Sequence, residues 1–206
     1  MKMIEKTVTA FTEELASPAP VPGGGGASAL AAAIGISLGD MVGELTVGKK
    51  RYADVEADVR ALMVRAQDLR IRFLTLVDGD AEVFAPLAKA YGIPKDDPDR
   101  DRIMEAALKD ACSVPMEIMR ACAEALDIIE AFAAKGSKIA ISDAGCGAVL
   151  CKAAMQAASL NVFINTKSMK ERDYAETLEK EACALLEKYT VLGDTVFETV
   201  LGKIRS

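Results

Sequence analysis

The sequence predicts an all-α protein, a single-domain multi-helical bundle of seven or so helices over residues 1–206 with long buried Ala/Gly-rich helices. Three observations predict it. Hydrophobic residues make up 51% of the 206 and aromatics only 5%, with no Trp. The core must therefore be built from Ala, Leu, Ile, Val and Met, the palette of close-packed helices. Apolar residues such as Leu62, Leu69, Phe73, Leu76 and Val83 recur at three- and four-residue steps, the period of a helix with one buried face. No stretch alternates with the two-residue period of a strand, and no internal repeat is present.

The elements follow in order. Residues 4–16 have helical spacing and stop before Pro18 and Pro20, which break a helix. A helix from Ala27 to Thr46 opens Ala-Ser-Ala-Leu-Ala-Ala-Ala-Ile-Gly; without a polar face in its first half it is expected to be buried. Gly48 interrupts, and a long helix runs from about Val55 to Tyr91, ended or kinked by Pro86 and by Gly92-Ile93-Pro94. Asp96 to Asp101 is a polar turn. Residues 100–113 are helical, and Pro115 either kinks this helix or begins the next, which reaches Ala134. Residues 135–138 form a turn. Ser142 or Asp143 can cap a helix over 143–159. Asn161 to Lys167 reads as a connector, and 168–203 as one charged helix or a pair broken at Gly193.

Charge and composition exclude several function classes. Twenty-five basic residues face 31 acidic ones, net −6, with no basic stripe for a nucleic acid. The first six residues are polar and lack the apolar region of a secretion signal. The apolar run from Ala27 meets Asp40, too soon to span a membrane. The five cysteines are odd in number and contain no C-x-x-C, as expected of reduced thiols in a cytoplasmic protein. The chain has no histidine. Ser-His-Asp and Cys-His catalysis within one chain is excluded, as are His-based metal sites. No metal is expected, and proton transfer falls to Asp, Glu, Lys, Tyr, Cys or water.

Five segments could carry chemistry. Gly23, Gly24, Gly25 and Gly26 follow Pro22 at the mouth of the Ala-rich helix, with Ser28 a half-turn on. Such a run is either a loop that lets two helices pack tightly or a backbone cradle for a carbonyl, carboxylate or phosphate at a helix N-terminus. Lys49, Lys50 and Arg51, before Tyr52, are either a solvated turn or a clamp for an anionic ligand tail. The stretch Gly43-x-x-x-x-Gly48-Lys49-Lys50 falls short of a phosphate-binding loop: it lacks the Ser/Thr after the lysine and the strand before the glycines. Asp78 and Asp80 flank Gly79 in an apolar helix. Two apart, they cannot share a face, so one points inward as a proton carrier or both are exposed acids. Ser142-Asp143-Ala144-Gly145-Cys146-Gly147 is a second small-residue helix start, where a cap alone would not need both glycines. Asn161 and Asn165 could pair with a heterocycle edge or satisfy a turn.

Together, Pro22-Gly23-Gly24-Gly25, Leu45-Thr46-x-Gly48-Lys49-Lys50-x-Tyr52, Asp78-x-Asp80-Ala81-x-x-Phe84, Ser142-Asp143-x-Gly145-x-Gly147-Ala148 and Asn161-Val162-x-Ile164-Asn165 resemble the cyclodeaminase/cyclohydrolase family of tetrahydrofolate enzymes, in order and over nearly the whole chain. Gly26 stands where many relatives have Ser, a form closer to the stand-alone cyclohydrolases. The resemblance implies an all-α homodimer acting on a folate, without metal or redox cofactor. The expected activity is methenyltetrahydrofolate cyclohydrolase, with formimidoyltetrahydrofolate cyclodeaminase or a non-catalytic folate-binding module as alternatives. The expected catalytic residues are Asp143, then Asp78, with Lys50 and Tyr52. The expected substrate-binding residues are Gly23, Gly24, Gly25, Gly26, Ser28, Lys49, Arg51, Asp80, Asn161 and Asn165.

Overall fold

Thr7 starts the first helix, its Oγ1 accepting the N–H of Ala10 at 3.1 Å, which satisfies one of the unpaired donors of a helix N-terminus. In this computed structural model, which describes residues 2–206, six α-helices follow in order. They are α1 (Val8–Leu15), α2 (Gly24–Glu44), α3 (Glu56–Ala90), α4 (Arg100–Lys135), α5 (Ile141–Thr166) and α6 (Arg172–Arg205), with 3₁₀ turns at Met3–Glu5, Lys50–Tyr52 and Lys138–Ala140. No strand occurs among the described residues.

The five long helices run alternately up and down. A Cβ placed on Gly25 would meet Asp80 and one on Gly43 would meet Met63, so α3 is antiparallel to α2. Gly24 faces Asn161 and Gly35 faces Cys151, so α5 is also antiparallel to α2 and lies beside it. Gly145 meets Val200 and Gly193 meets Lys152, which sets α6 antiparallel to α5. The core is continuous from Phe11 through Ile36, Phe73, Met119, Ile129, Phe132 and Met155 to Val200. A smaller cluster of Leu87, Leu108, Cys112, Met169 and Ala175 extends it beyond the start of α2.

Small residues set the spacing of the central pair. A Cβ on Gly147 would lie 2.7 Å from the carbonyl oxygen of Gly35, and one on Gly35 would lie 2.6 Å from Sγ of Cys151. Only glycine permits that backbone approach. α2 and the segment Lys138–Thr166 are the two stretches long and apolar enough to cross a membrane by length and composition, with 56% and 44% of their most apolar windows buried in the bundle. Both stretches carry charged residues, Asp40 and Glu44 in the first and Lys138, Asp143 and Lys152 in the second.

Several boundaries differ from the sequence expectation. Among the described residues there are six α-helices rather than seven or so, because α4 passes through Pro115 without ending; α3 likewise continues past Pro86. Gly193 does not break α6; its missing Cβ makes room for the Lys152 stem. Asn161 to Thr166 is the last turn and a half of α5 rather than a connector, held in place by buried Val162, Asn165 and Thr166. α2 begins at Gly24, so the glycine run is mostly its first turn. Neither Ser142 nor Asp143 caps α5, which the 3₁₀ turn feeds directly at Ile141.

Candidate active site

Four helices converge at the start of α2. Together with Pro20 and Val21 they enclose a cavity of about 210 Å³ lined by Gly23, Gly24, Asp80, Phe84, Ala111, Pro115, Asn161 and Asn165. Gly25 is required by Asp80. A Cβ on Gly25 would fall 2.0 Å from its Oδ1, so any side chain would displace the carboxylate. Asp80 Oδ2 accepts the Gly26 N–H at 2.8 Å. The first N–H groups of a helix have no intrahelical acceptor; here one is taken by Asp80, while those of Gly24 and Gly25 have no acceptor among the described residues. Burial pushes the Asp80 carboxyl above its ordinary value, and the Gly26 N–H pulls it partly back. The cavity thus places a carboxyl of raised pKa beside backbone donors at the positive end of a helix dipole.

The two asparagines complete one wall. Asn161 Nδ2 donates to the Ala157 carbonyl at 3.1 Å. Asn165 is buried, and its Nδ2 donates to the Ala111 carbonyl across to α4 at 3.3 Å. The Cys112 thiol beside it is pushed up to about 12 by burial, against a lowering by Asn165, so it is an inert core group at neutral pH.

Two expected residues of this end are committed elsewhere. Ser28 Oγ donates to the Gly24 carbonyl of its own helix at 2.5 Å, so it is turned away from the cavity. Asp78 Oδ1 accepts the Met3 N–H at 2.5 Å, fastening the N-terminal turn to α3. Its Oδ2 is buried without a partner, and Asp78 does not line the cavity. Of the acidic pair, Asp80 is the one that faces inward.

The remaining expected residues lie at the other end of the bundle. α2 has 21 residues, so its ends are about 30 Å apart. Gly48, at φ +75°, turns the chain into Lys49. Lys49 Nζ reaches Ser137 Oγ at 3.5 Å, and Tyr52 OH accepts the Lys138 N–H at 3.1 Å. That bond, more than any other influence, holds the Tyr52 phenol below its usual value. Lys50 and Arg51 are exposed, with the Arg51 guanidinium 5.9 Å from the Tyr52 ring centre. Asp143 is half-buried in the first turn of α5 at this same end. Tyr52, Lys135, Gly136, Lys138, Ile141 and Lys203 line a basic pocket of about 270 Å³. Ser137 and Thr46 organise it: the Ser137 N–H donates to Thr46 Oγ1 at 2.7 Å.

The expected residues therefore fall into two groups at opposite ends of the bundle. The glycine end unites Gly23, Gly24, Gly25, Gly26, Asp80, Asn161 and Asn165. The cationic end unites Lys49, Lys50, Arg51, Tyr52 and Asp143. Pro115 and Ala111, four residues apart on α4, were not foreseen in the cavity wall. The proline in an otherwise regular helix was the available signal. Asp40 was also missed: it is raised by burial and then by Glu44, and its Oδ1 lacks a partner.

The profile of the formiminotransferase-cyclodeaminase family matches residues 7–184. A methenyltetrahydrofolate cyclohydrolase of Methylorubrum extorquens is 38% identical over 97% of this chain and 98% of its own length. The formimidoyltransferase-cyclodeaminase of Rattus norvegicus is 27% identical over 99% of this chain, which spans 38% of that protein. The crystal structure of formiminotetrahydrofolate cyclodeaminase from Thermotoga maritima superposes with a TM-score of 0.82 at 29% identity, covering 97% of this chain and 96% of that one. With the ordered motifs now placed on one all-α scaffold, the chain belongs to the formiminotransferase-cyclodeaminase family.

Proposed function

We propose that this protein is a methenyltetrahydrofolate cyclohydrolase, converting 5,10-methenyltetrahydrofolate and water to 10-formyltetrahydrofolate. The observation that carries the reading is Asp80, a half-buried carboxylate pinned beside open helix N–H groups, in a chain whose end-to-end relative is named for this reaction. The substrate carries its one carbon as an amidinium bridging N5 and N10. The Asp80 carboxylate favours that cation and takes a proton as water adds to the carbon. The same proton passes to N5 as the C–N5 bond breaks, and the new hydroxyl loses its proton to leave the formyl carbonyl on N10. One proton is released overall. The Gly24 and Gly25 N–H groups are placed to stabilise oxygen charge at the tetrahedral stage. No electron changes hands and the chain has no histidine, so the mechanism calls for neither a metal nor a redox cofactor.

Cyclodeamination passes through the same kind of tetrahedral carbon, with N10 attacking a formimino carbon and ammonia leaving. The likeness to the Thermotoga maritima cyclodeaminase favours it as a second activity of the same site.

The working unit of this reading is a homodimer in the cytoplasm. α2 exposes Ile34 and Met41, with Leu45 exposed just past its end, and its neighbour α5 exposes Val149, Leu160 and Ile164. A two-fold axis across this antiparallel pair brings the cationic end of one subunit to the glycine end of the other. A folate is shorter than α2, so only this arrangement lets its pterin sit at Asp80 while its anionic glutamate tail meets Lys49, Lys50 and Arg51. The free thiols Cys112, Cys122, Cys146, Cys151 and Cys183 suit a reducing compartment.

The test offers the purified protein methenyl- and formimidoyl-tetrahydrofolate in parallel and follows the methenyl chromophore. Cyclohydrolase activity bleaches it and cyclodeaminase activity creates it. Rates equal to the uncatalysed ones on both substrates would overturn the proposal.

A further inference from the structure

Asn161 and Asn165 are the only asparagines in the chain, and both line the cavity. A carboxamide is useful to a ligand only if its two ends are told apart, because a rotation by half a turn exchanges donor for acceptor. Asn165 has an unusual means of fixing this. In an α-helix the carbonyl of residue 111 pairs with the N–H of residue 115. Residue 115 is Pro115, which has no N–H, and its ring crowds that same carbonyl. The Ala111 carbonyl is therefore left without its helical partner inside the bundle, where an unpaired carbonyl is unfavourable. Asn165 Nδ2 takes it at 3.3 Å. With Nδ2 committed to α4, Oδ1 points the other way within the amide plane, and Nδ2 to Ala111 is the one hydrogen bond this side chain makes among the described residues.

We propose that Pro115 is a positioning residue. By withholding one backbone N–H it hands the Ala111 carbonyl to Asn165, and so fixes Asn165 Oδ1 as an acceptor facing the substrate. This rests on the folate reading of the cavity, where the pterin ring supplies N–H donors for such an acceptor. Pro115 acts wholly through Asn165. In a Pro115→Ala chain the helix regains its own hydrogen bond, the Ala111 carbonyl is satisfied internally, and the Asn165 amide is free to turn.

This makes an uncommon combination of expectations. Replacing a proline inside a helix removes its clash and restores a bond, so Pro115→Ala is expected to keep or raise the melting temperature. Its KM is nonetheless expected to rise about 3- to 10-fold, the worth of one neutral hydrogen bond, with kcat little changed. Asn165→Ala should raise KM similarly. The double variant should be no worse than Asn165→Ala alone, since the proline has nothing left to position. Pro115→Val restores the same N–H at nearly the same volume, and it serves if the alanine leaves a void. An independent readout comes from labelling asparagine alone with ¹⁵N, which yields two side-chain amide signals, assigned by Asn161→Ala. The Asn165 amide should exchange slowly with solvent in the wild-type protein and faster in both Pro115 variants. A KM rise for Pro115→Ala that persists undiminished in the Asn165→Ala background would overturn the proposal, because the proline would then act by shape. Unchanged amide exchange would overturn it equally. A wild-type protein inactive on both folates would refute the reading of the site, while the exchange measurement still decides the Pro115–Asn165 coupling.

Discussion

Asp80→Asn separates what the Asp80 side chain does chemically from what it does structurally. Asparagine keeps the size and keeps an oxygen for the Gly26 N–H, 2.8 Å away in the wild-type protein. It removes only the titrating group. If Asp80 moves the proton, single-turnover rates should fall by about 10²- to 10⁴-fold, the usual contribution of a general acid or base. The wild-type rate should fall on the acid side as Asp80 is protonated, and because burial raises this carboxyl that limb should lie above the range of an ordinary aspartate. Stability should move the other way. A raised folded-state pKa means that the folded chain holds the proton more tightly than the unfolded chain. Stability from this group is full below the unfolded pKa and is lost as pH rises through the folded one. At neutral pH the ionised carboxylate therefore opposes folding. Asparagine escapes that penalty, so Asp80→Asn should melt higher than wild type at pH 7, and the gap should close as the pH is lowered. Stopped-flow absorbance of the methenyl chromophore gives the first quantity and thermal unfolding at several pH values the second. A variant within a few-fold of wild-type rate would refute the assignment of Asp80. A variant both inactive and less stable would show that the carboxylate holds the site together rather than working in it.

Two further outcomes follow from the same geometry. Gly147→Ala would force its Cβ to 2.7 Å from the Gly35 carbonyl oxygen. Such overpacking typically costs about 1–3 kcal/mol, so the melting temperature should fall by several degrees, and an unchanged melting curve would mean that α2 and α5 are not held by backbone contact. Mixing Asp80→Asn subunits with Lys49→Met/Lys50→Met subunits tests the two-ended site: each homodimer should be impaired, whereas mixed dimers carry one intact site and should recover about a quarter of wild-type activity; a mixture no better than its parts would place the whole site within one subunit.

Much of the helical content was legible because Ala, Leu and Met at helical spacing leave few alternatives. What was not legible depended on partners far away in sequence. Pro115 reads as a boundary because an isolated proline strands a carbonyl, but the structure supplies a replacement donor 50 residues on, from Asn165. The Asn161-Val162-Phe163-Ile164-Asn165 stretch looks extended by composition, and it stays helical because Val162 and Asn165 are buried against α4 and its neighbours. Of Asp78 and Asp80, the inward member could not be chosen from spacing alone. The choice depends on Met3 occupying one and Gly26 the other. Asp143 looked close to the chemistry because its neighbours are small, yet those small residues serve contact with Val200 and Gly35. It lies in the first turn of α5, at the opposite end of the bundle from Asp80.

The glycine run at Gly23–Gly26 now has a physical reason that links packing to chemistry. Each glycine loses more conformational freedom on folding than any other residue would, so four in succession weaken the start of α2. The close backbone contact at Gly35 and Gly147 sets how near α5 lies to α2. That spacing brings Asn161 into van der Waals contact, at 3.4 Å, with the place where a Gly24 side chain would begin. From the other side α3 brings the Asp80 carboxylate into the space a Gly25 side chain would need. At Gly25 the carboxylate leaves room for bare backbone alone, and bare backbone on either side of it leaves the first N–H groups of α2 uncovered by side chains. The feature that weakens the helix is thus the one that exposes its donors. Asp80 repeats the pattern, since the burial that raises its pKa also opposes folding. The site is assembled from groups that the fold holds at a disadvantage, and the small-residue packing of α2 on α5 supplies the rigidity that keeps them there.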